Sequence, residues 1–209
     1  MASTSDSRKL VDFIESLGDF VIRSINNRGY GHMGATITDS ILQAGLNYRT
    51  VVEPRVRAVL EAFPFAKTST EFLGILKEHG ANNILSWKHP EKPRRVNELT
   101  TFFVAESVDT EECLGQYLSY AFNCEKLLTL NGIGPKTVDY LKNFAGIPTI
   151  AVDRHISHFV AVAGISCSSY EEISRMVCIA ADLLATPASD LDFAIWDYVS
   201  QGRLTRVIH

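Results

Sequence analysis

The stretch LNGIGPKTVDYL, Leu130 to Leu141, organises the reading of this chain. Gly132, Gly134 and Pro135 fall within four positions, and apolar residues at helical spacing follow directly, as Val138 and Leu141. Proline is favoured in the first turn of a helix, where its missing N–H costs nothing. The pattern therefore predicts a helix ending near Leu130, a turn through Asn131-Gly132-Ile133-Gly134, and a second helix from Pro135, with Ile133 plugging the turn into the core. Glycines at a helix start leave N–H groups uncovered, and such a place binds phosphate through hydrogen bonds and the helix dipole. A tight turn with no ligand explains the glycines equally well. Lys136 is the second residue of the new helix, where the dipole disfavours a positive charge and favours loss of the proton. That is the direction an amine nucleophile needs. A solvated or phosphate-pairing lysine is the plainer alternative.

The rest of the chain reads as helix almost throughout. Leu10, Val11, Phe13, Ile14, Leu17, Phe20, Val21 and Ile25 recur at helical spacing, and Asn26-Asn27-Arg28-Gly29 ends that run. RGYGHMGAT is a glycine-rich loop. Helices are expected near 37–46, 51–62, 69–79, 93–107, 124–130, 135–145, 154–163, 169–185 and 189–201, with a short one opening at Asp109. No segment carries the alternation of a strand. The fold class is all-α. Trp196 has the apolar neighbours of a core residue, and Trp87 sits in a loop beside a basic run, Lys88 to Arg95, of net charge +3.

Bulk properties narrow the function. The 209 residues carry a formal charge of −4, whereas a general polyanion binder would be basic. Recognition resting on a local positive surface and on backbone N–H groups remains open. No apolar run approaches the ~18 residues of a membrane span. The polar N-terminus lacks the core of a signal peptide, and residues 1–8 are expected to form a disordered tail. Cys113, Cys124, Cys167 and Cys178 form no CxxC pair and match no zinc or iron–sulfur spacing. Small buried hydrophobes in a reducing intracellular compartment are the expectation.

Seventeen residues after Lys136 the chain reads IAVDRHI, with Asp153 where a helix N-cap belongs, ahead of the apolar-periodic Ile156, Phe159 and Val160. The intervening helix of about ten residues and its turn let the chain double back, so Asp153 can lie near Lys136. A carboxylate at a helix start stays ionised and can stabilise a cationic sugar-like transition state or shuttle protons. Structural capping alone also explains it.

Together, LNGIGPKT and IAVDRHI resemble the signature of the HhH-GPD DNA glycosylases, the group of endonuclease III and 8-oxoguanine DNA glycosylase. The resemblance is dense over residues 125–165. It implies two helical subdomains with the active-site cleft between them: residues 30–145 as a bundle ending in the helix-hairpin-helix, and residues 9–29 with 150–209 as the second. It implies base-excision repair of double-stranded DNA by a monomer, with AP lyase activity. Lys136 would attack C1′ of the damaged nucleotide and form a Schiff base, and Asp153 would be the catalytic carboxylate. The substrate would be an oxidised base such as 8-oxoguanine, or a damaged pyrimidine. Gly132, Gly134, Lys136 and His155 would contact the DNA backbone, and Gln43, in SILQAGLNYRT, the DNA. Carbonyls of Leu128, Leu130 and Ile133 would hold a potassium or sodium ion. The family's four-cysteine loop is missing, so no iron–sulfur cluster is expected. Asn131 stands where the family has proline, and residues 63–110 resemble nothing that would transfer a base pocket. The alternative reading is a non-catalytic helix-hairpin-helix module that binds abasic or distorted DNA. A third is a helical interaction domain.

Overall fold

The computed structural model describes residues 4–25, 29–167 and 169–204. Among these the chain is all-helical, with no strand. It divides into two compact units: a central unit, Asn27–Ile147, and a terminal unit, Met1–Asn26 with Pro148–His209. No helix among the described residues is long and apolar enough to cross a membrane.

The central unit is built around α2 (Met33–Leu42), every residue of which is buried. Packed against it are α3 (Glu53–Ala62), α4 (Ser69–His79), α6 (Glu91–Ala105) and α9 (Pro135–Phe144). The short α5 (Ala81–Ile84) and the helices α7 (Glu111–Leu118) and α8 (Ala121–Leu128) complete the unit. A π-helical turn, Tyr48–Val52, leads into α3. Met33, Ile37, Leu42, Phe72, Leu99, Phe103 and Leu141 are fully enclosed. The helix α2 begins earlier than the 37–46 expected from hydrophobic spacing, because an unusual residue caps it. Nδ1 of His32 accepts the Ala35 N–H at 3.0 Å, which leaves Nε2 to donate to the Phe63 carbonyl at 2.8 Å. The RGYGHMG loop is held by Glu111, whose carboxylate accepts the N–H groups of Tyr30 and Gly31 and the Thr36 hydroxyl. Trp87 lies in a loop, as expected, and packs on the core with the Arg55 guanidinium 4.9 Å from its ring.

The terminal unit comprises α1 (Thr4–Ser16), α10 (Arg154–Val162), α11 (Tyr170–Leu183) and α12 (Ala188–Ser200) around Leu10, Ile14, Phe159, Met176, Val177 and Ile195. Two expectations fail here. Residues 4–8 are the first turns of α1 rather than a disordered tail, with Ser7 and Leu10 fully buried. The helix also stops at Ser16 instead of running to Ile25. Gly18 and Asp19 weaken the helix there, and tertiary contacts take over. Phe20 packs on Phe159 and Tyr198, with ring centroids 5.6 and 5.3 Å apart, and the Tyr198 hydroxyl donates to Asp19 at 2.8 Å. The helix end expected at Asn26-Asn27-Arg28 lies outside the described residues. The extended segment before α10 is fixed by buried Asp192, which accepts the Ala151 N–H at 3.1 Å. All four cysteines are free and half-buried rather than enclosed.

Candidate functional site

The helix α8 ends at Leu128, its last turn anchored by Lys126, which donates to Glu106 at 2.7 Å. The chain turns, and Ile133 is buried while Asn131 and Gly132 stay exposed. The Leu130 carbonyl accepts the Ile133 N–H at 3.1 Å, which closes the turn. What approaches Gly132 is Arg95. At φ +79° the residue occupies the left-handed region, and a Cβ there would meet the Arg95 Cζ at 2.1 Å. The guanidinium also donates to Glu91 at 2.5 Å. Gly134 differs. It is the N-cap of α9 in extended conformation, no side chain caps that helix start, and a Cβ would meet nothing within 4 Å. The start of α9 thus lacks a side-chain cap, and the turn leading into it is the one the Arg95 guanidinium approaches, a combination suited to an anion.

Lys136 is half-buried on the first turn of α9, with Nζ 5.2 Å from the Tyr140 ring centroid. Lys136, Tyr140 and Phe144 recur every four residues and so share one face. Tyr140 stacks on Phe144 at 6.5 Å, and Phe144 meets Tyr30 at 5.5 Å. Lys92, on α6, comes close enough to both Arg95 and Lys136 for its charge to interact with theirs. Nζ of Lys92 donates to the Ile41 and Ala44 carbonyls at 2.6 and 3.1 Å, capping the end of α2. Burial, then the charges of Arg95 and Lys136, push the Lys92 amine down to about 8. An acidic protein therefore gathers positive charge locally, at the turn that sequence reading singled out.

Further along α2 lies a group that sequence reading missed. Asp39 is fully buried, accepts the Tyr30 hydroxyl at 2.5 Å and the Gln43 side-chain amide at 2.5 Å, and is bonded to Tyr48 as well. Desolvation raises its carboxyl to about 6 against the opposing pull of those bonds. It also pushes the Tyr48 phenol up to about 12 and the Tyr30 phenol far above its ordinary range. The available signal was an acid in the middle of MGATITDSIL, a run otherwise suited to burial.

Asp153 belongs to the terminal unit and is the N-cap of α10. Its Oδ1 accepts the His155 and Ile156 N–H groups at 2.8 and 3.0 Å. Its Oδ2 pairs with His155 Nδ1 at 2.9 Å, and the carboxylate side chain is 9% exposed. Asp153 and His155 are therefore brought together. The His155 ring lies edge-on to Trp196 at 6.4 Å, and Trp196 meets Phe193 at 5.8 Å. Compared with known proteins, no protein family, no curated protein and no solved structure matches this chain.

Proposed function

We propose that the protein is a DNA glycosylase with AP lyase activity, acting on a damaged base in double-stranded DNA. The observation that carries this reading is Lys136 on the first turn of α9, directly behind the N-cap Gly134, where no side chain caps the helix, and within reach of the Lys92 charge. The amides and the Arg95 guanidinium would take a DNA phosphate. Lys136 Nζ, as the free amine, would form a bond to C1′ while the bond from C1′ to the base nitrogen breaks, the base leaving with the electron pair. Ring opening then gives a Schiff base, and loss of a C2′ proton expels the 3′ phosphate. Burial, then the charges of Arg95 and Lys136, favour the neutral amine at the neighbouring Lys92. Asp153 would stabilise the cationic sugar, with His155 holding the carboxylate. Carbonyls of Leu128, Leu130 and Ile133 are the donor type a monovalent cation accepts, and Leu130 retains one lone pair after its bond to Ile133.

Borohydride reduction in the presence of abasic-site duplex should trap a covalent complex. Lys136→Gln should abolish trapping with the fold intact, and persistent trapping in that variant would overturn the assignment. One observation favours a second reading, a non-catalytic grip on distorted DNA: two hydrogen bonds already engage Asp153 as a helix cap and a third ties it to the His155 ring. On that reading abasic DNA binds without strand cleavage over long incubation, and Asp153→Asn changes nothing.

A further inference from the structure

We propose that Asp39 fixes the orientation of the Gln43 carboxamide, so that Gln43 offers its carbonyl oxygen to an amino group on a nucleobase edge. This rests on the DNA-binding reading above and adds to it a determinant of which base edge is accepted.

The argument starts from what a carboxylate can do. It accepts hydrogen bonds and donates none. Gln43 Nε2 donates to Asp39 Oδ1 at 2.5 Å. The opposite orientation would set the amide oxygen against a carboxylate oxygen. The nitrogen is thus committed to Asp39, and the free edge of the carboxamide carries Oε1 beside the remaining N–H. Oε1 has no hydrogen-bond partner among the described residues and is not a buried atom.

Asp39 cannot turn to relieve this constraint. It is fully buried, with the Tyr30 hydroxyl on its other oxygen at 2.5 Å and Tyr48 also bonded to it. Gln43 follows it by four residues on the same face of α2, and its own N–H bonds to the Asp39 carbonyl at 3.0 Å. A neutral asparagine of the same shape would bury at lower cost but would let Gln43 adopt either orientation. An obligate acceptor dictates one.

The position is also right. Lys92 holds the Ile41 and Ala44 carbonyls, on either side of Gln43 in sequence, and the same amine feels the Lys136 charge. Gln43 is half-buried at the end of α2 that Lys92 caps. An acceptor beside an N–H matches an amino group next to a ring nitrogen, as adenine and cytosine present. It opposes the keto edge of hypoxanthine or uracil.

The test uses the full chain and duplexes carrying a tetrahydrofuran abasic analogue. Opposite and next to the analogue, adenine is exchanged for hypoxanthine and cytosine for uracil, and binding is read by fluorescence anisotropy. Wild type should prefer the amino base at one of these positions by about two- to tenfold, the reach of one net hydrogen bond. In Asp39→Asn the amide keeps its oxygen under Tyr30 and turns its nitrogen towards Gln43, which then presents its own nitrogen. The preference should reverse or vanish, with affinity for the analogue itself kept. Gln43→Leu, at a partly exposed site that tolerates it, should erase the preference even if Asp39→Asn fails to fold. An unchanged preference in a folded Asp39→Asn, or none in wild type that binds the duplex, overturns the proposal. A wild type that binds no DNA at low salt instead removes the DNA reading. In that event the orientation is still read by NMR on the free protein, where the Gln43 side-chain amide should exchange slowly with solvent; fast exchange overturns the orientation itself.

Discussion

Replacing Asp39 by asparagine should stabilise the central unit at neutral pH and leave its acid stability almost untouched. Desolvation raises this carboxyl from an ordinary 3.8 to about 6, while the bonds from Tyr30, Gln43 and Tyr48 oppose the rise. An acid with a higher value in the folded state keeps its proton natively over a window in which the unfolded chain has lost it. Its contribution to stability is therefore most favourable below about pH 4, falls as pH rises towards about 6, and stays at its minimum above. At about 1.36 kcal/mol for each tenfold change in proton affinity, the fall amounts to about 3 kcal/mol. Asparagine removes the titration and keeps the shape. The free energy of unfolding of Asp39→Asn minus that of wild type should grow by about 3 kcal/mol between about pH 4 and about pH 8. In melting temperature this is about 6–12 °C for a chain of this size. Taking the difference cancels the titration of groups that the substitution does not touch. Urea unfolding at a series of pH values, followed by far-UV circular dichroism, measures it. A difference that stays flat within about 0.5 kcal/mol would refute the reasoning, because the carboxyl would then titrate alike in both states.

Gly132→Ala should cost about 1–2 kcal/mol, from the left-handed backbone and the collision with Arg95. Gly134→Ala should cost under about 1 kcal/mol, since its backbone is extended and its surroundings open; thermal melts that rank the pair the other way contradict the turn geometry. Lys92→Met should lose about 1–3 kcal/mol through the uncapped Ile41 and Ala44 carbonyls, yet still form the borohydride-trapped complex; trapping lost in Lys92→Met and kept in Lys136→Gln would make Lys92 the nucleophile. Asp153→Ala should destabilise the terminal unit by about 0.5–2 kcal/mol as a lost helix cap. Asp153→Asn, which still caps, should remain stable but excise base far more slowly, and equal excision rates would leave Asp153 a cap only.

Local patterns made the all-α class readable. Hydrophobic spacing, Pro135 at a first helical position and Asp153 as an N-cap are properties of a few neighbouring residues, and the structure has each of them. Boundaries went astray where a distant residue supplied the cap or the contact. His32 started α2 early, Lys92 closed it, and Phe20 left the helical path to meet Phe159 and Tyr198. Half of the candidate site was legible in the same way. Gly132, Gly134 and Lys136 are adjacent in sequence, so their turn and helix start follow from local chemistry. The sequence could not say that Arg95, some 37 residues earlier, is what Gly132 makes room for. Nor could it say that the acid in MGATITDSIL would be enclosed by Tyr30, Tyr48 and Gln43, because burial depends on which helices cover α2. By itself the sequence determined helices, caps and a glycine turn ending in a lysine. Only the tertiary structure decided which charges meet, since desolvation and Coulomb interaction act through space between residues that the chain keeps apart.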